Sequence, residues 1–186
     1  MITCTHCVIR TAEPDDAWDM VRLYSPDHPR AALLGRNREP FQPGVEEMRE
    51  VLRPGEGRPQ VFYAVEDLEG VIRGYCGLRT GLGDDAHYGE AIVLMHDLAD
   101  LDTPLAQEAW EWVIAKAFRD SLWRKTVAHL LESETAQRAW LVERGFESCG
   151  VQREVLYTGG RWLNIETLVL YNREIYPEMG LEHDAK

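Results

Sequence analysis

Three runs of strand-forming residues stand close together in the middle of the chain, and the hydrophobic period then switches from two to that of a helix. Val61-Phe-Tyr-Ala-Val65 and Val71-Ile-Arg-Gly-Tyr-Cys-Gly-Leu78 flank the turn signal Asp67-Leu-Glu-Gly70 and predict a hairpin, with a third strand over Tyr88 to Met95. Thr103-Pro104 then supplies a helix cap and a first helical residue, and the helix is expected to run to Phe118. Around this centre lie a short strand at Val8 to Thr11, a helix to about Tyr24 and a helix over Val45 to Leu52. Beyond it come a buried-type strand at Lys125 to Leu131, a short helix within Ser133 to Arg144 that stops at Gly145, and two strands, Phe146 to Tyr157 and Trp162 to Tyr171. This order predicts an α/β (α+β) domain: a mixed, mostly antiparallel sheet of about seven strands with helices on both faces. A length of 186 residues suits one domain over 1–171, with 172–186 as a C-terminal tail.

Charge narrows the partners. The 32 acidic and 20 basic residues give a net charge of −12, which opposes nucleic acid and anionic lipid; it would suit cationic substrates such as amines, and solubility accounts for it equally well. The longest apolar runs fall far short of a membrane span, and the N-terminal residues lack the pattern of a secretory signal, so a cytoplasmic protein is expected. Cys4-Thr-His-Cys7 has the spacing of half a zinc knuckle. Without a second ligand pair downstream it is read as incidental thiols near a frayed terminus, and no metal is expected. Cys76 and Cys149 are read as small core residues. Trp110, Trp112, Trp123 and Trp140 are read as core rather than as a substrate cage. Gly81-Leu-Gly-Asp-Asp85 links two strands without entering a helix, which argues against a phosphate loop.

The second half carries a series of short signatures: Ala117-Phe118, Arg124-Lys-Thr-Val-Ala128, Arg144-Gly145-Phe146, Gly150-Val-Gln-Arg153-Glu154, and Gly160-Arg161-Trp162 followed by Asn164. In order and spacing these resemble the GNAT superfamily of N-acetyltransferases, and within it the branch of ribosomal-protein N-terminal acetyltransferases. The resemblance implies transfer of an acetyl group from acetyl-CoA, as co-substrate, to a primary amine of a small molecule or a protein N-terminus. It also implies, by analogy with many members, a homodimer.

The family's chemistry sets three demands. Pyrophosphate is held by amides at a helix start, usually in a loop with an Arg or Gln and two Gly. Here the loop reads His96-Asp-Leu-Ala-Asp-Leu-Asp102-Thr-Pro-Leu-Ala106, with no Gly, no Lys or Arg and three aspartates, so this element is degenerate. Thr103, Leu105 and Ala106 are what remains for phosphate to use. The thioester is expected along the backbone of Val93, Leu94 and Met95. A base is needed to take a proton from the ammonium, and Glu90 matches a glutamate found in several members, although it reads equally well as a solvated strand-end carboxylate. Glu134 falls where many members place an Asn that contacts CoA, and Leu141 where many have a Tyr acid. His87, Tyr88 and His129 are further proton carriers, read as structural or surface residues. The eroded loop leaves two alternatives open: a catalytically silent GNAT-fold binding domain, or a transferase of this fold that uses another donor.

Overall fold

The computed structural model describes residues 1–25, 28, 43–53, 60–80, 87–158 and 160–177. The Pro54–Gly57 helix end, the Gly81–Asp85 turn and most of the Ser25–Pro43 stretch lie outside the described residues. Eight strands form one sheet: β1 (Ile2–Thr3), β2 (Val8–Thr11), β3 (Gln60–Glu66), β4 (Ile72–Thr80), β5 (Tyr88–Met95), β6 (Lys125–Leu131), β7 (Glu147–Thr158) and β8 (Arg161–Tyr171). Their order is β1-β2-β3-β4-β5-β6-β8-β7, antiparallel at every junction except β5/β6. The strand that the sequence reading lacks is β1, a two-residue pairing across the Cys4–Cys7 turn.

Helices α1 (Ala17–Met20), α2 (Val45–Leu52), α3 (Pro104–Arg119) and α4 (Thr135–Glu143) complete the layers. On one face, α3 turns Ala106, Ala109, Trp110, Val113 and Ala117 toward Val65, Cys76 and Val93, and Leu141 of α4 joins the same core. This spacing puts small residues and one tryptophan on a single helix stripe, which lets the helix lie close to the sheet. On the other face, Met20 of α1 and Met48 and Leu52 of α2 pack on Phe62, Tyr75, Ile92 and Leu94. Covered on both sides, Ala91 to Met95 are all buried, as expected of a central strand flanked by helices.

The expected first helix is broken in three, a 3-10 turn at Pro14–Asp16, α1, and a 3-10 turn at Val21–Tyr24. Asp16 is the reason for the tight start, since its carboxylate accepts from the Glu13 amide at 2.8 Å and from both Nη atoms of Arg10 at 2.7 and 2.8 Å. Four residues of the second-half signatures shape the chain locally. Gly145 (φ 91°) ends α4 and Gly150 (φ 131°) sits at a β7 irregularity. A second bulge places Glu154 at φ 51°, where its amide donates to Asn164 Oδ1 at 2.9 Å. Trp110 and Trp123 are buried in the core and Trp112 and Trp140 pack at its margin, whereas Cys149 is exposed at the β7 irregularity rather than buried. After β8, Asn172 is buried and bonds the Trp123 carbonyl through its side chain and the Arg124 carbonyl through its amide. No described helix is long and apolar enough to cross a membrane.

Candidate functional site

Strands β5 and β6 pair at only three positions, Tyr88 with Lys125, Gly89 with Thr126 and Glu90 with Val127. From there β5 continues to Met95 against β4, and β6 continues to Leu131 against β8. Among the described residues, no ladder joins Ala91–Met95 to Ala128–Leu131, so the sheet opens into a wedge at its centre. The His96 amide donates to Arg73 O at 2.9 Å, in register with the β4/β5 ladder. By strand alternation the backbone groups of Leu94 and Ile92 therefore face β4, and those of Ala91, Val93 and Met95 face the wedge. Thr126 Oγ1, donating to Gly89 O at 3.2 Å, and His28 Nε2, donating to Met95 O at 2.9 Å, agree with that phase. The expected trio is thus divided: Val93 and Met95 present backbone to the opening, while Leu94 uses its own against Tyr75.

Beyond Met95 the chain makes a 3-10 turn over Leu98–Asp102 and enters α3 at Pro104. Two of the three aspartates are consumed locally. Asp97 accepts from the Ala99 amide at 2.9 Å, and Asp100 pairs with the Arg73 guanidinium at 2.8 to 3.1 Å. Asp102 stays exposed. Thr103 stands at the N-cap with extended backbone, but its hydroxyl donates to Asp100 O at 2.6 Å instead of capping the helix. The first helical bond runs from Gln107 N to Thr103 O, so the Leu105 and Ala106 amides have no acceptor within the helix. Leu101 is buried and fills the space under this turn. Between the starts of α3 and α4, Leu101, Gln107, Trp110, Gln137 and Trp140 line a cavity of about 40 Å³. The Trp110 and Trp140 indole N–H groups and both amide atoms of Gln137 are buried there without a hydrogen-bond partner among the described residues. A cavity of this size and polarity has room for water.

Glu90 lies at the closed end of the wedge, where its carboxylate meets Arg79 Nη1 at 3.1 Å and each side chain is only 14% exposed. It is therefore a half-buried, paired group and not a solvated strand end. Glu134 sits at the start of α4, and its carboxylate accepts from the Leu131 amide at 2.9 Å, closing the end of β6. Leu141 is buried core. His129 contacts Thr167 Oγ1 at 3.1 Å on the β6/β8 ladder, and Tyr88 lies under the Lys125 ammonium.

At the open end of β5 the structure assembles a group that sequence spacing does not show. His96 Nε2 lies 2.6 Å from Asp19 Oδ2, and the Tyr75 hydroxyl donates to the same oxygen at 3.1 Å. Burial opposes ionisation of Asp19, but the His96 and Tyr75 hydrogen bonds outweigh it and hold the carboxyl below its usual range. Burial, reinforced by the Asp19 charge, pushes the Tyr75 phenol up. His96 also borders an open cleft of about 620 Å³ with Arg22, His28, Ile72, Arg73 and Asp100. The signal was faint, because Asp19, Tyr75 and His96 come from three segments and no local pattern links them.

No protein-family model matches the sequence, and no curated protein matches it. Solved structures do resemble it. Spermidine N-acetyltransferase from Vibrio cholerae in complex with CoA and spermine superposes with a TM-score of 0.73 at 14% identity, over 90% of this chain and 96% of that one. An N-acetyltransferase from Staphylococcus aureus Mu50 gives 0.70 at 17%, over 89% and 98%. The structure of yncA from Salmonella typhimurium with its cofactor acetyl-CoA gives 0.69 at 20%, over 89% and 93%. At these identities the likeness is one of fold, the fold that these acetyltransferase structures share.

Proposed function

We propose that this protein transfers an acetyl group from acetyl-CoA to a primary amine. The observation that carries the reading is the divergence of β5 from β6 after Glu90, which turns the backbone groups of Val93 and Met95 away from β4 and toward the wedge. Backbone N–H groups held in a strand are preorganised toward a carbonyl, which suits a thioester arm. The superposed structures that contain CoA or acetyl-CoA support the same use of the fold. Acetyl-CoA supplies the activated acyl carbon. In this chain, Val93 and Met95 line the thioester arm, the Leu105 and Ala106 amides with Thr103 meet phosphate, and Glu134 borders the arm from the start of α4. Glu90, oriented by Arg79, takes the proton from the ammonium. Amine attack forms the new C–N bond as the C–S bond breaks, and the sulfur leaves as CoA thiol. The net charge of −12 suits a cationic acceptor. Thiol release from acetyl-CoA in the presence of polyamines and of N-terminal peptides tests the reading: turnover with one acceptor class supports it, and silence across both opposes it.

The α3 entry favours a second reading. A loop with no glycine, a buried Leu101 and an exposed Asp102 next to the helix start suits a GNAT-fold domain that has stopped binding CoA, or one that takes a less anionic donor. Affinity for CoA separates these from the first reading.

A further inference from the structure

The β1–β2 turn carries Cys4 and Cys7, closed by a Cys4 N to Cys7 O bond of 2.8 Å. Helix α3, about a hundred residues along the chain, brings Glu108 onto this turn. The Glu108 carboxylate accepts from the His6 amide at 2.8 Å, lies 2.9 Å from His6 Nδ1, and accepts from the Cys7 thiol at 3.6 Å. One ligand atom each from Cys4, Cys7 and Glu108 lies within 4.8 Å of the others. Cys7 is fully buried and Glu108 is 18% exposed, so the terminus is packed and the two thiols are not incidental surface groups.

We propose that Cys4, Cys7 and Glu108 form a zinc site, with His6 hydrogen-bonded to the carboxylate that it orients. With Zn–S near 2.3 Å and Zn–O near 2.0 to 2.2 Å, a tetrahedral site has an S···O edge of roughly 3.5 Å, close to the Cys7–Glu108 spacing. Two thiolates select zinc over magnesium or calcium, which prefer all-oxygen shells. A carboxylate ligand is usually steadied by an outer hydrogen bond, which His6 provides. Three protein ligands leave the fourth position to solvent. The ion ties the N-terminal hairpin to the second turn of α3, the helix whose first amides border the wedge. The site does not depend on the proposed acetyl transfer.

The test uses the full chain, reduced and stripped of metal, titrated with Co²⁺ and then with Zn²⁺. The expected result is one equivalent of Co²⁺ with thiolate-to-metal charge-transfer absorption and tetrahedral ligand-field bands, displaced by Zn²⁺. Cys4→Ser should abolish the charge-transfer bands given by the wild type, while Cys149→Ser should leave them intact. Where Cys4→Ser disturbs folding, Glu108→Gln serves, and it should weaken binding at least tenfold. His6→Ala should weaken binding by about 10- to 100-fold and keep the bands. The proposal is overturned if the wild type shows no charge-transfer band, if the bands survive both Cys4→Ser and Glu108→Gln, or if the reduced protein refuses Co²⁺ and readily forms a Cys4–Cys7 disulfide.

Discussion

Arg79 and Glu90 are partners across β4 and β5, with guanidinium and carboxylate 3.1 Å apart and 14% of each side chain exposed. The pair stands on the last rung before β5 and β6 part, so it marks the closed end of the wedge. A carboxylate held there by its ion pair is the base that the proposed chemistry assigns.

Glu90→Gln keeps the size and a hydrogen bond to Arg79 but cannot accept a proton. Acetyl transfer should fall by about 10² or more at neutral pH, with CoA affinity nearly unchanged. Steady-state rates together with a CoA titration of the variant check this, and an unaltered rate removes Glu90 from the mechanism.

Asp19 supplies a pH dependence. Its carboxyl is held below the usual value, against burial, by His96 and Tyr75. A depressed folded value stabilises the protein above the unfolded carboxyl pKa of about 3.9, and the contribution is lost as pH falls through the lower folded value. Wild type should therefore lose stability below about pH 4 more steeply than Asp19→Asn, which should be less stable near neutrality by about 1 to 2 kcal/mol. Urea midpoints over a pH series measure both slopes, and equal slopes would show that the Asp19 contacts do not persist in solution.

The Arg10–Asp16 pair holds the broken first helix against β2. Asp16 is 9% exposed and takes two bonds from Arg10, so Arg10→Ala leaves a largely buried carboxylate with only the Glu13 amide. The expected cost is roughly 3 kcal/mol, partly recovered when Asp16→Ala is added. Denaturant unfolding of the single and double variants is the measurement. A cost below about 0.5 kcal/mol for Arg10→Ala would place the pair among weak surface bridges.

Gly89 sits inside the three-rung β5/β6 ladder. A Cβ there would stand 2.3 Å from the Arg79 carbonyl oxygen and 2.3 Å from the Trp123 ring, so Gly89→Ala must shift backbone or a buried tryptophan. A loss of about 1 to 3 kcal/mol is expected, together with a change in Trp123 fluorescence. Wild-type stability in this variant would mean that the ladder is looser than described.

Most of the fold was legible because it rests on local signals. The hairpin around Asp67–Gly70, the Thr103-Pro104 helix start and the stop at Gly145 each follow from the chemistry of a few adjacent residues. The first helix was harder, because its 3-10 turns answer to Asp16 and Arg10, a pairing between a strand and the turn after it. The site was less legible for the same reason. Glu90 and the Val93–Met95 stretch could be named only through the family resemblance, because backbone chemistry leaves no mark on side-chain identity. The three-rung pairing that opens the wedge depends on where β6 and β8 draw each other away, and the Asp19–His96–Tyr75 group joins three distant segments. At Cys4–Cys7 the sequence offers no second ligand pair downstream, whereas the packing brings Glu108, a residue with no spacing relation to the turn.

The central claim is that the wedge receives acetyl-CoA despite an acidic helix start, and isothermal titration of the purified protein with acetyl-CoA and with CoA tests it most directly. The account expects binding with a dissociation constant in the micromolar range, about −8 kcal/mol, carried by backbone donors of β5 and α3. No detectable heat at millimolar CoA would contradict it, and the domain would then be a GNAT fold serving as a binder or using another donor.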